Sequence, residues 1–401
     1  MAFFKYIINA IEYVAFVYFA IATVYILIFS IASRFSSKDK RLEASRKRRM
    51  AVFIPGYKED SVIVDVAEKA LHQTYGTNHY DVVVIADSFK PETINDLRKL
   101  PLKLIEVSFE KSTKSKSLNQ AMAQLDDSYE IAFILDADNI MADDVLERIN
   151  EAFERGFRVV QGHRIAKNLN TSFALLDAIS EEVNNRIFRK GHRNLGLSSA
   201  LIGSGMAFNY SLFKEIMWNV KAVGGFDKEL ELELLKAGIK IEYLNDALIL
   251  DEKVQKADAF ANQRKRWLSA QFVYFRRYFF SGLKHLLLRG NIDYFDKVYQ
   301  MISPPRVLLL GLVTILTIGY GIIDLSPGMA DFFVFRFSQW LNLTLLVYLA
   351  FIFAIPSRFY NRKTFLALFE LPKAFLLMLF SLFRLKGANK RFIHTEHGVS
   401  E

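Results

Sequence analysis

Hydrophobic and charged positions alternate along this chain on two length scales. On the longer scale, Tyr13 to Ser33 contains no charged residue. About twenty apolar residues in helix cross the hydrocarbon core of a bilayer, so this stretch predicts a transmembrane helix. A cleaved signal peptide is the alternative, but its apolar region is shorter and follows a basic segment, whereas here the basic cluster comes afterwards, from Lys38 to Arg49. Uncharged runs from Val307 to Ile323 and from Phe337 to Ile355 predict two further spans. Phe365 to Phe383 is also apolar, but it holds Glu370 and Pro372 and has basic residues at both ends. It reads as an interfacial or re-entrant helix pair, with a fourth span as the alternative.

On the shorter scale, between the first and second spans, apolar runs of strand length alternate with helix-patterned segments. Strands are predicted at Met50 to Ile54, Val82 to Ala86, Leu102 to Val107 and Ile131 to Leu135, and helices beginning near Ser61, Glu92, Ser115 and Ala142. Such alternation predicts an α/β domain with a largely parallel sheet. Ligands of such sheets bind beyond the carboxyl ends of the strands. Three stretches lie there: "IPGYKED" after the first strand, "IADS" after the second and "ILDADN" after the fourth.

Charge orients the membrane reading. Lys38, Lys40, Arg41, Arg46, Lys47, Arg48 and Arg49 stand against Asp39 and Glu43, which marks the cytosolic side and places the amino terminus outside. The connector between the second and third spans is then outside, and the carboxyl-terminal segment inside. The chain carries a net charge of +9. Much of that excess flanks apolar segments, where anionic lipid accounts for it, so nucleic acid is not expected as a partner. The sequence has no cysteine, which excludes disulfides and thiolate metal sites.

Several motifs carry chemistry with two readings each. Asp136 and Asp138 flank an alanine after a buried-type strand, where carboxylates hold Mg2+ or Mn2+ with a diphosphate or simply form a turn. Asp87 either ends a strand as a turn former or accepts hydrogen bonds from a base or ribose. "STKSKSLNQAM" puts Lys114 and Lys116 at a helix start that favours phosphate, or that is merely solvated. In "GGFDKELELELLKAG", Leu230 and Leu234 share a helical face and Gly238 is the stop, so Asp227 can be an N-cap. On a helix, Gln263, Arg266 and Trp267 stand at i, i+3 and i+4 and share a face, while Arg264 and Lys265 point elsewhere, toward the membrane surface. "QFVYFRRYFFSGLKHLLL" after them reads as an interfacial helix.

Taken in order, "FIPGYKE", "VVVIADS", "KSKSLNQA", "ILDADN", "LIGSGMAF", "GGFDKELELELLKAG" and "QRKRW" resemble the membrane-bound family 2 glycosyltransferases, the group of cellulose, chitin, hyaluronan and poly-N-acetylglucosamine synthases. The resemblance covers Arg49 to Gln271 and implies an α/β, GT-A-like (Rossmann-like) domain flanked by transmembrane and interfacial helices. It implies that Tyr57, Glu59 and Asp87 receive uracil and ribose, and that Lys114, Asp136 and Arg266 meet the diphosphate. Asp138 would hold the metal, Mg2+ or Mn2+, and Asp227 would be the general base. Gly203, Ser204, Gln263 and Trp267 would meet the acceptor. "FIHTEH" near the carboxyl terminus resembles the gating segment of such synthases. The chain departs from the family pattern at Lys58, where Asn is usual, and at Phe226, where an acid usually precedes the base.

The expected organisation is a transmembrane helix at 1–35, a basic linker at 36–48, a glycosyltransferase domain at 49–270, an interfacial region at 271–305, two spans at 306–357 and an interfacial helix with cytosolic tail at 358–401. The expected activity is inverting, processive transfer from a UDP-sugar or other nucleoside diphosphate sugar to a growing polysaccharide at the cytosolic face. Transfer of one sugar to a polyprenyl or other lipid acceptor, or an inactive export scaffold, are the alternatives. Membrane lipid is the surrounding partner; secretion of a polymer would call on a homo-oligomer or an export partner.

Overall fold

The computed structural model describes residues 2–35, 42–220, 222, 224–255 and 257–383. "FIHTEH", and Lys38, Lys40 and Arg41 of the basic cluster, lie outside them. The strands are β1 (Met50–Tyr57), β2 (Tyr80–Asp87), β3 (Lys103–Val107), β4 (Ile131–Ile134), β5 (Ile140–Met141), β6 (Val159–Ala166), β7 (Met206–Asn209) and β8 (Glu242–Asp251). They form one sheet in the order β3-β2-β1-β4-β7-β6-β8-β5. The largely parallel sheet expected from the alternation is present, but β7 runs against both β4 and β6, and β5 runs against β8.

The helices are α1 (Ala2–Ala32), α2 (Ile63–Ala70), α3 (Pro91–Leu97), α4 (Lys114–Gln124), α5 (Val145–Glu154) and α6 (Ser172–Asn184), which continues through a π-helical segment, Asn185–Gly191, into α7 (His192–Asn194). Then follow α8 (Tyr210–Met217), α9 (Phe226–Lys236), α10 (Ala257–Arg289), α11 (Ile292–Ile302), α12 (Arg306–Asp324), α13 (Pro327–Ala330), α14 (Phe337–Ala354), α15 (Arg362–Ala367) and α16 (Leu371–Phe383).

Side chains alternate across a strand, and here both faces are covered. Met50, Val52 and Ile54 of β1 pack with Ile63, Val66 and Val145 from α2 and α5. Ala51 and Phe53 pack on the other face with Leu118, Phe213, Leu230 and Leu234 from α4, α8 and α9. Each fully buried Leu contributes about 1.5–3 kcal/mol relative to exposure. Strands buried on both faces read as continuous apolar runs, which is why β1, β2 and β4 are legible in the sequence.

Helix α10 runs without a break across residue 270. The aromatic stretch expected at the membrane interface is divided: Tyr274 and Tyr278 are buried in the domain core with Tyr294 and Val298 of α11, whereas Phe272, Phe280, Leu287 and Leu288 are exposed. Arginines of the basic cluster before β1 also pair with the α/β domain, two of them at its surface. Arg46 pairs with Glu130, Arg48 with Glu154 at 2.7 Å, and Arg49 with Asp81 at 3.0 Å. These pairs tie the segment before β1 to β2, to α5 and to the residue before β4.

Among the described residues, four helices are long and apolar enough to cross a membrane: Phe3–Ala32, Arg306–Asp324, Phe337–Ala354 and Arg362–Leu382. Ala22, Ile26 and Phe29 of α1, Val313 and Tyr320 of α12 and Leu343 and Val347 of α14 share one buried cluster with Ile179 and Val183 of α6. The apolar bundle and the α/β domain are therefore joined through α6 and the π-helical segment. At the far end, Glu12 accepts hydrogen bonds from Tyr320 Oη at 2.8 Å and from the backbone N–H groups of Val334 and Phe335 at 2.8 and 2.9 Å. Its carboxylate is thus satisfied by α12 and by the connector between α12 and α14.

Candidate active site

The carboxyl ends of β1, β2, β4 and β8 share one edge of the sheet. They deliver Tyr57, Asp87, the Asp136–Asp138 turn and Asp251 there. Because β7 runs against β4, the loop that leads into β7 returns to this same edge, and with it Gly203 and Ser204. A cavity of about 1100 Å3 opens over the edge. Of the expected site residues, Tyr57, Glu59, Asp87, Lys114, Asp136, Asp138, Gly203, Asp227, Gln263, Arg266 and Trp267 line it.

At the β1–β2 end, Asp87 is 1 % exposed; its Oδ1 accepts from Ser88 Oγ at 2.9 Å. Its Oδ2 has no hydrogen-bond partner among the described residues. A buried carboxylate oxygen left unpaired costs free energy, so this one is suited to accept from a ligand. Lys58, at the position where the family usually has Asn, takes a left-handed conformation with φ 56° and donates its N–H to the Asp87 carbonyl at 3.1 Å. Asn adopts that region more readily than Lys, which gives the usual residue a backbone reason.

Asp136–Asp138 forms the turn expected after the fourth strand. Asn139 N–H closes it on the Asp136 carbonyl at 3.1 Å, and both aspartates still face the cavity. Lys114 Nζ forms an ion pair with Asp136, donates to the Gly203 carbonyl at 2.7 Å and lies 5.1 Å from the Phe226 ring centroid. Asp138, 8 % exposed, accepts from Asn139 Nδ2 at 3.2 Å, and the same amide donates to Asp251 at 2.9 Å. No group of three or more His, Cys, Asp or Glu suited to a metal occurs among the described residues. The aspartates fit a hard cation that draws its remaining oxygen ligands from a diphosphate and water.

Ser204 is placed differently from expectation. It is fully buried, accepts from the Asp136 N–H at 2.9 Å and donates to Asn139 Oδ1 at 2.6 Å. Its hydroxyl fixes the aspartate turn and has no surface to offer an acceptor. Gly203 does face the cavity; its φ of +89° belongs to glycine, and a Cβ there would sit 3.9 Å from Asp227.

Asp227 is not the N-cap of its helix. That position belongs to Gly225, in left-handed conformation, and no side-chain cap bond is made. The Asp227 carboxylate lies in the first turn of α9 and faces the cavity. It makes no hydrogen bond or ion pair among the described residues.

Gln263, Arg266 and Trp267 share the cavity face of α10 as the helical spacing requires. Arg264, expected elsewhere, joins them: it is 7 % exposed, pairs with Asp177 of α6 and lies over the Trp267 ring, 4.5 Å from its centroid. Gln263 Oε1 is buried without a partner among the described residues. Burial lowers the Arg266 and Arg264 pKa values from the usual arginine range.

Sequence reasoning missed a charged cluster of which Arg164, Asp251 and Lys253 line the same cavity. Arg164 pairs with Glu181 at 2.5 Å and with Asp251 at 3.4 Å; Lys253 pairs with Asp251 at 2.5 Å and also with Glu181. Burial pushes Asp251 up to about 7 and Lys253 down to about 7. "LILDEK" ends an apolar strand with an aspartate just as "ILDADN" does, so the strand-end rule would have found Asp251.

A family model described as "Glycosyltransferase like family 2" matches residues 48–270. More than half the chain is covered, and the chain belongs to that family: it is a glycosyltransferase family 2 member with a GT-A-type, Rossmann-like domain. No curated protein matches it. Among solved structures, it is similar to the mannosyltransferase PcManGT from Pyrobaculum calidifontis, in complex with GDP-Man and Mn2+, at 14% identity over 86% of this chain and 97% of that one, with a TM-score of 0.49.

Proposed function

We propose that this chain transfers a sugar, with inversion, from a nucleoside diphosphate donor, a UDP-sugar first of all, to an acceptor hydroxyl at the membrane face. The observation that carries this reading is the unpartnered carboxylate of Asp227, which faces the same cavity as Asp87, the Asp136–Asp138 turn and the Gln263–Trp267 wall. Asp87, Tyr57 and Glu59 receive the nucleoside. Asp138, with Asp136 beside it, would hold Mg2+ or Mn2+, which when bound neutralises charge on the leaving diphosphate. Arg266 and Lys114 add positive charge beside the diphosphate. Asp227 takes the acceptor proton as that oxygen attacks the anomeric carbon and the bond to the diphosphate breaks. Trp267 gives the acceptor sugar a flat apolar surface, which supports retention between additions and a polysaccharide product.

One observation favours a lipid-borne acceptor as the second reading: the same cavity is lined by Ile26 of α1 and by Pro305, Arg306 and Val307 at the start of α12. The purified chain given labelled UDP-sugars separates the outcomes, because it yields polymer, a single-sugar lipid, or no transfer. No transfer with any donor would return the chain to the inactive-scaffold alternative.

For orientation we propose an outside amino terminus and a cytosolic α/β domain and carboxyl terminus. The packing of α16 supports an interfacial helix: Ala374 lies on Phe173 of α6, while Phe375 and Met378 cluster with Leu268 of α10 and Leu308 near the start of α12. A spanning helix beside α12 would follow it toward its other end. In intact cells, a tag at Met1 should be reached by external protease and the carboxyl-terminal tail protected; the reverse pattern would invert this topology.

A further inference from the structure

The cavity continues past the catalytic residues toward the apolar helices. Lys114 donates to Gly203, Gly203 adjoins Asp227, and Lys228 follows in the first turn of α9. Beyond them the wall is formed by Arg189 and Phe188 of the π-helical segment and by Arg306, the first residue of α12.

This inner lobe holds more positive charge than its acids neutralise. Arg264 is matched by Asp177 and Lys297 by Glu231, the latter at 2.7 Å. Arg189, 4 % exposed, donates among the described residues only to neutral acceptors, the Ala200 carbonyl at 3.2 Å and Asn185 Oδ1 at 3.0 Å. Arg306 lies over the Phe188 ring at 5.1 Å, and neither its side chain nor that of Lys228 makes a hydrogen bond or ion pair among the described residues. Asp227 and Glu231 act on Arg189 and Lys228 and offset only part of this charge. An unpaired cation held inside a protein is costly unless an anion meets it.

We propose that this lobe, where Arg306 and Arg189 meet the amino end of α12, binds the phosphate of a membrane lipid phosphate that carries the acceptor. Guanidinium groups suit phosphate oxygens in number and geometry. The free N–H groups in the first turn of α12 add to the same field. Ile26, Val307 and Met378 continue the wall into α1, α12 and α16, so a head group at Arg306 has apolar surface beside it for its chain. The inference rests on the transferase reading and names the acceptor class for it. The donor diphosphate keeps its own partners at Lys114 and the aspartate turn.

The test uses the full chain in detergent micelles. The probes are a long-chain polyprenyl phosphate, the corresponding uncharged polyprenol, phosphatidylglycerol and inorganic phosphate, with UDP binding measured in parallel. The expected result is that polyprenyl phosphate binds about tenfold or more tightly than each of the other three, the gain expected of a charge-assisted contact. Arg306→Gln should lose about tenfold of that affinity and Arg306→Lys less, with UDP affinity changed by no more than about twofold. Equal binding of phosphate and alcohol would overturn the site. Equal binding of phosphatidylglycerol would reduce it to general membrane contact, and equal binding of inorganic phosphate to a soluble anion site; either overturns the proposal. An Arg306→Gln variant that loses UDP affinity as strongly as lipid affinity would assign the cations to the donor instead. If the variants do not fold, the wild-type comparison of phosphate with alcohol decides. A wild type that binds no UDP counts against the proposed UDP-sugar donor, while the lipid arms still decide the phosphate site.

Discussion

Arg264 lies over the indole of Trp267, 4.5 Å from the ring centroid, while its guanidinium is held by Asp177 of the neighbouring helix α6. The tryptophan of the cavity wall is therefore braced from behind by a buried ion pair, and one ring face remains for a ligand. A cation over indole contributes about 0.5–2 kcal/mol. The brace fixes the ring without spending its exposed surface, 38 % of the residue.

On the proposed reading, Trp267→Ala removes an acceptor platform and leaves Tyr57 and Asp87 at the β1–β2 end of the cavity untouched. Product chain length under saturating donor should collapse, with donor affinity within about threefold of wild type, less than 1 kcal/mol. Trp267→Phe, which keeps a flat ring, should retain part of the length. If wild type releases only single-sugar lipid products, the polymer reading gives way to the lipid one.

Asp227→Asn keeps size and removes basicity. Turnover should fall on the order of 10²-fold or more, the usual contribution of a general base, with donor binding retained. Asp227 makes no cap bond, so the melting temperature should scarcely move. Near-wild-type transfer by the Asn variant would remove Asp227 from the chemistry.

Asp138→Ala should abolish transfer and make donor binding insensitive to divalent cation, with circular dichroism unchanged. Chelation of the wild type should give the same loss, reversed by added Mg2+ or Mn2+. Full activity in excess chelator would contradict a metal at Asp138.

Lys253→Met leaves Asp251 and Glu181 short of a counter-charge in a buried cluster. Breaking a buried pair by removing one partner costs about 3–5 kcal/mol, read as a lowered denaturation midpoint. Replacing Glu181 by Gln in the same chain should recover part of the loss. A single variant as stable as wild type would show that Arg164 alone balances both acids.

The amino-acid sequence by itself determined the strands buried on both faces, the apolar spans, and most residues at the sheet's carboxyl edge, because each of these is a local pattern: a run, a period or a strand end. Asp87, Asp136 and Asp138 follow strands whose apolar runs announce them, and Gln263, Arg266 and Trp267 share a face by helical spacing alone. Only the tertiary structure decided what depends on chain direction and on distant partners. The antiparallel β7 returns Gly203 and Ser204 to the site edge and turns the Ser204 hydroxyl inward onto Asn139. Asp177, on a helix about ninety residues away in the chain, draws Arg264 from the surface expected for a basic residue into the wall behind Trp267, which agrees with the helical pair spacing but not with the charge pattern. The meeting of Arg189, Lys228 and Arg306 in one lobe comes from three separate elements, and no local pattern records such a convergence.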